Sequence, residues 1–247
     1  MKTSINQIGA FEKHILFYDE DSDYMFGPRT SEVLVKELAV TDFDSEISIL
    51  TLIPFFRNQK ISFTNLLDAL CSVEDNERVI GLIAADFAES VLFMFEEVVK
   101  NDARPRKAIN VMRDEIINER FDENKIKQGC LAARQASNEH DFELNEGYLP
   151  FQLAAQAAGA VSVKNLRNVS GISLRAARQY YNYGFHLLAN ESIPQEDVKL
   201  HLSMLSELLL KRRSEKYGFR SDFSSIAREA EAFELKKQLC IIEGYIY

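Results

Sequence analysis

The stretch "AADFAESVLFMFEEVVKNDARPRKAINVMRDEI", residues 84–116, decides the fold because it predicts two successive helices joined by a short turn. Its first half continues a pattern that begins near Asp75 and ends near Lys100, in which apolar residues return every three or four positions. This spacing places the apolar side chains on one face and predicts a core helix. A cofactor pocket lined by methionine and phenylalanine is the less common alternative. The predicted stripe comprises Val79, Ile83, Phe87, Val91, Met94, Phe95 and Val98.

The second helix of this stretch begins at an Arg-Pro-Arg motif. A residue before proline is pushed away from helical angles, so Arg104 is predicted to cap the helix and Pro105 to take its first position. Asp102 precedes the pair and Arg106 follows it. Two cations beside a helix N-terminus oppose the partial positive charge there, which indicates a nearby anionic partner.

Carboxylates of the chain itself are the predicted partners of these arginines. A planar guanidinium binds carboxylates through paired hydrogen bonds, and Glu96, Glu97 and Asp102 are the nearest candidates in the sequence. Asp86 and Glu89 lie several turns before the end of the preceding helix. A bound phosphate is the alternative, but one basic pair in an acidic protein is a poor phosphate site.

Helical patterns also cover most of the chain after residue 63. The alanine-rich run at residues 151–162 predicts a helix in the middle of the bundle, because small side chains let neighbouring backbones approach closely. Residues 165–171 predict a loop, and a last helix is predicted from about Ser221, followed by the apolar tail at residues 240–247. Besides Arg104, three residues are predicted to be N-caps, Thr64, Asp75 and Ser173, and another helix is predicted to follow Asp122.

The predicted fold class is therefore mainly α, a multi-helix bundle with a small irregular or β-hairpin N-terminal segment. Residues 14–26 resemble a short hairpin, residues 31–39 a short helix, and residues 47–53 either a strand or a buried helix ended by Pro54. Three parts are predicted along the chain: an acidic segment at 1–60, a helical core at 61–190, and a helical pair at 191–247 that packs on the core.

Composition excludes several classes of protein. With 46% apolar residues among 247, the chain is long and apolar enough for a substantial core. It has no run of about 18 apolar residues and no signal-peptide pattern, which predicts a cytoplasmic protein without a membrane partner. Its four histidines are scattered, and Cys71, Cys130 and Cys240 form no CxxC pair, so buried free thiols and no metal or other cofactor are predicted.

The acidic charge is concentrated near the N-terminus. Residues 1–46 hold ten acidic and four basic residues, which is −6 of the net charge of −9. Direct nucleic-acid binding needs a positive surface, whereas an acidic face suits a basic partner. The candidate partner-binding residues are Asp19, Glu20, Asp21 and Asp23, with Tyr18 and Tyr24 beside them and Phe17 and Phe26 farther out. A solvated acidic run with core aromatics is the alternative, and a calcium loop is disfavoured because its glycine and distal glutamate are absent.

Three stretches together resemble a known family. They are "ISFTNLLDALCSVED" (61–75), the stretch quoted first (84–116), and "LAAQAAGAVSVKNLRNVSGISLRAARQYY" (153–181). In this order they are similar to the Imm-5-like bacterial immunity proteins over about residues 61–183, most specifically at Asp102–Ile109. The resemblance implies an all-α domain encoded beside a polymorphic toxin, which it neutralises by binding. The family pattern has histidines near the loop after the alanine-rich helix, whereas this chain has Lys164, Asn165 and Asn168.

The predicted function is that of a non-enzymatic immunity protein that binds a cognate toxin, with a basic nuclease as the toxin that its acidic segment suits. A helical scaffold or phage-related adaptor that forms a homo-oligomer through residues 240–247 is the alternative. A metal-dependent enzyme is the weakest hypothesis. Its candidate groups, Glu96 with Glu97 and Glu139 with His140, resemble ordinary helix-surface charge, and no nucleophile or phosphate-binding motif accompanies them.

Overall fold

The computed structural model describes residues 2–4, 46–57, 62–71, 76–118, 121–139, 149–164, 166–189 and 223–246. These residues form mainly helices, as predicted. The elements in chain order are β1 (Lys2–Ser4), β2 (Glu46–Ser48), α1 (Ile49–Arg57), α2 (Phe63–Cys71), α3 (Glu77–Val98), α4 (Arg104–Ile117), α5 (Glu123–Glu139), α6 (Leu149–Gly159), α7 (Leu166–Ala189) and α8 (Phe223–Ile246).

The two short strands pair with each other in antiparallel register, Thr3 opposite Ile47. The run at residues 47–53 therefore divides between the end of β2 and the start of α1. Pro54 lies inside α1 and does not end it, contrary to the prediction. The predicted hairpin at residues 14–26 and the predicted helix at 31–39 lie outside the described residues.

Helix α3 lies in the hydrophobic core. Its predicted stripe is buried from Ile83 to Phe95 and is continuous with the buried faces of α2, α4, α6 and α7. The prediction is wrong for Val98, which is 41% exposed at the end of the helix. On α4 the predicted core face is confirmed, because Ala108, Ile109 and Met112 are buried.

Helix α6 is the small-residue centre of the bundle, as predicted. It contacts α3, α4, α5 and α7, and its alanines are buried. Helices α5 and α6 approach each other closely at Gly159. A Cβ added there would lie 2.5 Å from Cγ of Arg134 and 3.0 Å from the carbonyl oxygen of Cys130. A side chain at this position would therefore push α5 away from α6.

Helix α7 contradicts the predicted loop at residues 165–171, because the helix already begins at Leu166. Ser173 is accordingly no cap. It is fully buried inside α7, where its hydroxyl donates to the carbonyl oxygen of Phe87 at 3.1 Å. Ser170, which looked like a loop residue, is also buried and donates to Oε1 of Gln238 at 2.7 Å. Tertiary hydrogen bonds thus satisfy the hydroxyls that suggested a loop.

Two other helix starts also differ from the sequence prediction. Helix α2 is capped by Ser62 and not by Thr64: Ser62 Oγ accepts from the backbone of Asn65 at 3.1 Å, and Asn65 Oδ1 accepts from the backbone of Ser62 at 3.2 Å. Asn76 precedes α3, while Asp75 lies outside the described residues. Helix α5 begins directly after Asp122, as predicted, and Asp122 caps it by accepting the backbone N–H of Asn124 at 2.9 Å.

The last helix packs on α7 and α3 and includes most of the predicted apolar tail. Leu239 and Ile242 are buried, whereas Cys240 is exposed. Since Cys71 is half-buried, the prediction of buried thiols is confirmed for Cys130 alone among the three cysteines. Among the described helices, none combines the length and apolar character that a membrane crossing requires. The division of the chain at residues 60 and 190 stays a prediction.

Candidate interaction site

The Arg-Pro-Arg motif opens α4 one residue earlier than predicted. Ala103 is the N-cap, Arg104 is the first helical residue, and buried Pro105 lies in the first turn, where its missing N–H costs nothing. Oδ1 of Asp102 accepts the backbone N–H of Arg104 at 3.0 Å. A carboxylate therefore supplies the favourable charge at the helix start that the two arginines do not.

Arg104 also binds this carboxylate with its side chain. Its Nε lies 2.9 Å from Oδ1 of Asp102, and Nη2 lies 2.5 Å from Oδ2. Nη1 reaches Oε2 of Glu139, at the end of α5, at 2.7 Å. These hydrogen bonds raise the pKa of Arg104, and hydrogen bonds from Arg104 and Gln135 lower the pKa of Glu139. Arg104 thus ties the turn before α4 to the end of α5.

Arg106 joins α4 to α3. Its Nε and Nη2 bind Glu96 through paired hydrogen bonds of 2.8 and 2.7 Å, and Nη1 also pairs with Glu89. The hydrogen bond with Glu96 is the main reason that the pKa of Arg106 is raised. Of the three carboxylates predicted as partners, Glu96 and Asp102 pair with arginines. Glu97 accepts the hydroxyl of Tyr180 at 3.0 Å.

The pairing continues along the same two helices as a charge ladder, defined as Asp86, Glu89, Glu96, Arg106 and Arg113. Arg113 pairs with Glu89 and lies 2.5 Å from Oδ1 of Asp86. Hydrogen bonding by Arg113 is the main cause of a lowered pKa at Glu89. The ladder holds three carboxylates and two guanidinium groups, so these arginines are neutralised within the molecule.

Tyr245 of α8 extends the charge ladder to the C-terminal helix. Its hydroxyl donates to Oδ2 of Asp86 at 2.8 Å. Burial, together with this bond and the charge of Asp86, raises the pKa of Tyr245 to about 12. Arg113 and Tyr245 were missed by the sequence analysis. Arg113 was predictable, because Arg106 and Arg113 on α4 repeat the seven-residue spacing of Glu89 and Glu96 on α3, which keeps each pair on one helix face.

A cleft of about 400 Å³ lies between α4, α5, the turn at residues 160–164 and the start of α7. Apolar residues form much of its lining, and charged or polar side chains accompany them. The apolar lining comprises Met112, Phe121, Ile126, Cys130, Ala160, Val161 and Val163, the charged or polar side chains are Glu123, Lys127, Arg134, Ser162, Lys164 and Asn168, and Gly159 completes the wall.

Two hydrogen bonds fix the walls of this cleft. Nε of Arg134 donates to the carbonyl oxygen of Gly159 at 2.9 Å, which orients the guanidinium at the end of α6. The thiol of Cys130 donates to the carbonyl oxygen of Val161 at 3.4 Å, and burial raises the pKa of this thiol. Cys130 is therefore a structural group in the neutral form. Sequence reasoning missed this site because its lining comes from positions spread over residues 112–168.

The candidate partner-binding residues of the sequence analysis lie outside the described residues. They are Asp19, Glu20, Asp21, Asp23, Tyr18 and Tyr24, as well as Phe17 and Phe26. His140 is outside them too, whereas Glu139 pairs with Arg104. In the described part of the chain, no group of three or more histidine, cysteine, aspartate or glutamate side chains is arranged to hold a metal ion.

In comparison with known proteins, part of the chain matches a family of immunity proteins. The model of the family described as Imm-5 like putative immunity protein matches residues 72–167. No curated protein and no solved structure matches the chain. The matched range contains all of α3 to α6, including the Arg-Pro-Arg motif and most of the lining of the cleft. Over residues 72–167, the chain thus matches the Imm-5-like immunity family that its sequence resembles.

Proposed function

We propose that this protein is an immunity protein that neutralises a cognate bacterial toxin by binding it directly in the cytoplasm. The family match over residues 72–167 carries this proposal. The fold is compatible with it, since the charges of the ladder are paired within the molecule and leave the helical body as a rigid support for a binding surface.

Within this proposal, the acidic N-terminal segment contacts a basic toxin such as a nuclease. Its charge of −6 over residues 1–46 would accelerate association and select a basic partner, while Tyr18 and Tyr24 would act as anchors. The charge would thereby imitate that of the nucleic acid on which such a toxin acts. Binding of the partner, and not chemistry, would then be the activity of the protein.

The test of toxin binding is neutralisation of the product of the adjacent gene. Co-expression of this protein with the toxin should restore the growth of cells that the toxin alone inhibits. The two purified proteins should bind each other in a pull-down, in a one-to-one ratio. A neighbouring gene that encodes a metabolic enzyme, or a toxin that neither binds nor is neutralised, would contradict the proposal.

The role of the acidic segment is tested with matched charge reversals. The double substitution Asp19→Lys with Glu20→Lys should weaken binding clearly more than Glu77→Lys with Asp114→Lys does, because only the first pair removes contacts as well as charge. Both pairs alter the net charge equally, and Glu77 and Asp114 are exposed on the helical body. Equal affinities for the two double variants would remove the N-terminal segment from the interface. Circular dichroism would verify that both variants remain folded.

A further inference from the structure

The cleft lies beside the turn at residues 160–164, and its side chains carry a net positive charge in a protein whose net charge is negative. We propose that the cleft is the docking site for an acidic segment of the toxin, which inserts an apolar side chain and places a carboxylate beside Arg134 and Lys127. The inference rests on the proposed function, since the occupant is part of the toxin. It is independent of the acidic segment at residues 1–46, which suits basic regions of a partner.

The size and the apolar lining of the cleft suit an inserted side chain. Its volume of about 400 Å³ falls within the range of about 300–1,000 Å³ that is typical of ligand pockets. Phe121 is half-buried and packs against the core, so it presents an apolar surface to the cleft. An aliphatic or aromatic side chain of a partner would exchange contact with water for contact with this surface, which favours binding.

The charge of the cleft has the opposite sign to that of the protein. Lys127, Arg134 and Lys164 face one carboxylate, Glu123, which gives a local charge of +2 in a chain whose net charge is −9. Lys164 and Glu123 lie 3.9 Å apart and are both mostly exposed, so their pairing is weak. Across the part of the chain that the structure describes, Lys127 makes no ion pair. The cleft therefore attracts a carboxylate.

Arg134 is held in position for this role. The bond from its Nε to Gly159 spans α5 and α6 and directs the guanidinium, and within the described ranges its two terminal nitrogens make no hydrogen bond. A guanidinium presents its donors in a planar arrangement that matches a carboxylate, and a prepared donor loses little conformational freedom on binding. The bond from Cys130 to Val161 holds the facing turn in the same way.

The test is calorimetric titration of the protein with the purified, catalytically inactivated toxin. Lys127→Glu should weaken binding by about tenfold or more, which corresponds to about 1.4 kcal/mol. Ser162→Trp, which fills the cleft from a half-buried position, should weaken it similarly. The matched controls are Lys107→Glu and Asn110→Trp, at exposed positions of α4 that do not line the cleft.

The outcomes separate this inference from the proposed function. Binding by the wild type that both cleft variants retain overturns the docking site alone, while the absence of wild-type binding overturns the proposed function together with it. Titration with a short single-stranded oligonucleotide distinguishes a second class of partner. Oligonucleotide binding that Lys127→Glu abolishes would assign the cleft to phosphate groups and overturn the inference.

Discussion

Glu234 is a buried carboxyl group at the contact between α8 and α3. It is 4% exposed, its Oε1 lies 2.5 Å from the hydroxyl of Ser90 on α3, and Lys237 lies 4.0 Å from its other oxygen. Burial raises the pKa of Glu234 above its ordinary value, and this effect outweighs the hydrogen bond from Ser90 and the charge of Lys237. The folded protein therefore binds a proton here more tightly than the unfolded chain.

We predict that Glu234→Gln stabilises the protein at neutral pH by on the order of 1 kcal/mol. A raised pKa in the folded state means that stability is fully present below the ordinary pKa and is lost as the pH rises through the folded value. The amide removes the charge, so the loss should disappear. Urea unfolding from pH 4.5 to 7.5 measures the free energy of unfolding of both proteins. The control is Glu231→Gln, at a more exposed glutamate of the same helix. Parallel pH curves for wild type and Glu234→Gln would contradict the prediction.

Two helical glycines have opposite predicted responses to alanine. At Gly159 the added Cβ meets two backbone atoms within 3.1 Å, the carbonyl oxygen of Cys130 and the nitrogen of Arg134, so α5 must move. At Gly171, inside α7, nothing lies within 4 Å of the added Cβ. Gly159→Ala should destabilise the protein by about 1–3 kcal/mol, and Gly171→Ala should stabilise it by up to about 1 kcal/mol. The midpoints of denaturant unfolding of the two variants, compared with that of the wild type, test this prediction. A shift of the same sign in both variants would contradict the explanation by space around the added Cβ.

At the scale of single elements, the charge ladder connects α3 to α4 through arginines that each contact two carboxylates. The side chains of Arg106 and Arg113 are 34% and 25% exposed, so solvent screens them in part. A lowered pKa at Glu89 means that its contribution is present above the ordinary carboxylate pKa and is lost as the pH falls. The ladder thus strengthens the helix pair under neutral conditions.

Arg106→Ala should therefore destabilise the protein by about 1 kcal/mol at low salt and by less at high salt. Arg106→Lys should have an intermediate effect, because lysine retains the charge but cannot form the paired bonds with Glu96. Urea unfolding at low and high salt provides the measurement. Lys107→Ala, exposed on the same helix, is the control and should change stability by less than about 0.5 kcal/mol. A loss for Arg106→Ala that is independent of salt would show that packing, and not charge, is responsible.

The elements also show what sequence alone could predict. Periodic apolar residues identified α3 and α4, because local spacing determines which face a helix buries, and the run of small residues identified α6. Helix α7 was misread at its start, where asparagine, serine and glycine favour a loop locally. Buried Leu166 and Val169 continue the helical face, and the bonds of Ser170 and Ser173 form only when α8 and α3 are adjacent. Hydrogen bonds between helices that are distant in the sequence leave no local sequence pattern from which they could be predicted.

At the scale of the whole molecule, the two proposed binding surfaces differ in how much the sequence reveals. The acidic segment is a contiguous run, so charge counting finds it directly. The cleft is assembled from α4, α5, a turn and α7, and its charge of +2 emerges only when Lys127, Arg134 and Lys164 come together. A protein of net charge −9 can therefore present a locally positive site to the same partner.

The net charge leads to a prediction about how fast the complex forms. Long-range attraction acts before contact, so it depends on the whole charge of −9, to which residues 1–46 contribute −6. Between about 0.1 and 1 M salt the Debye length falls from about 10 to about 3 Å, which removes this attraction. For a basic toxin the association rate should fall by about tenfold or more over this range, whereas the dissociation rate should change much less.

Stopped-flow mixing at several salt concentrations measures both rates. Asp19→Lys with Glu20→Lys and Glu77→Lys with Asp114→Lys lower the negative charge equally, so both pairs should slow association at low salt. Only the first pair should also accelerate dissociation, because its residues would contact the toxin in the complex. An association rate that rises with salt would mean that the toxin is acidic overall. The basic cleft would then be the surface that selects the partner, and the N-terminal segment would oppose binding.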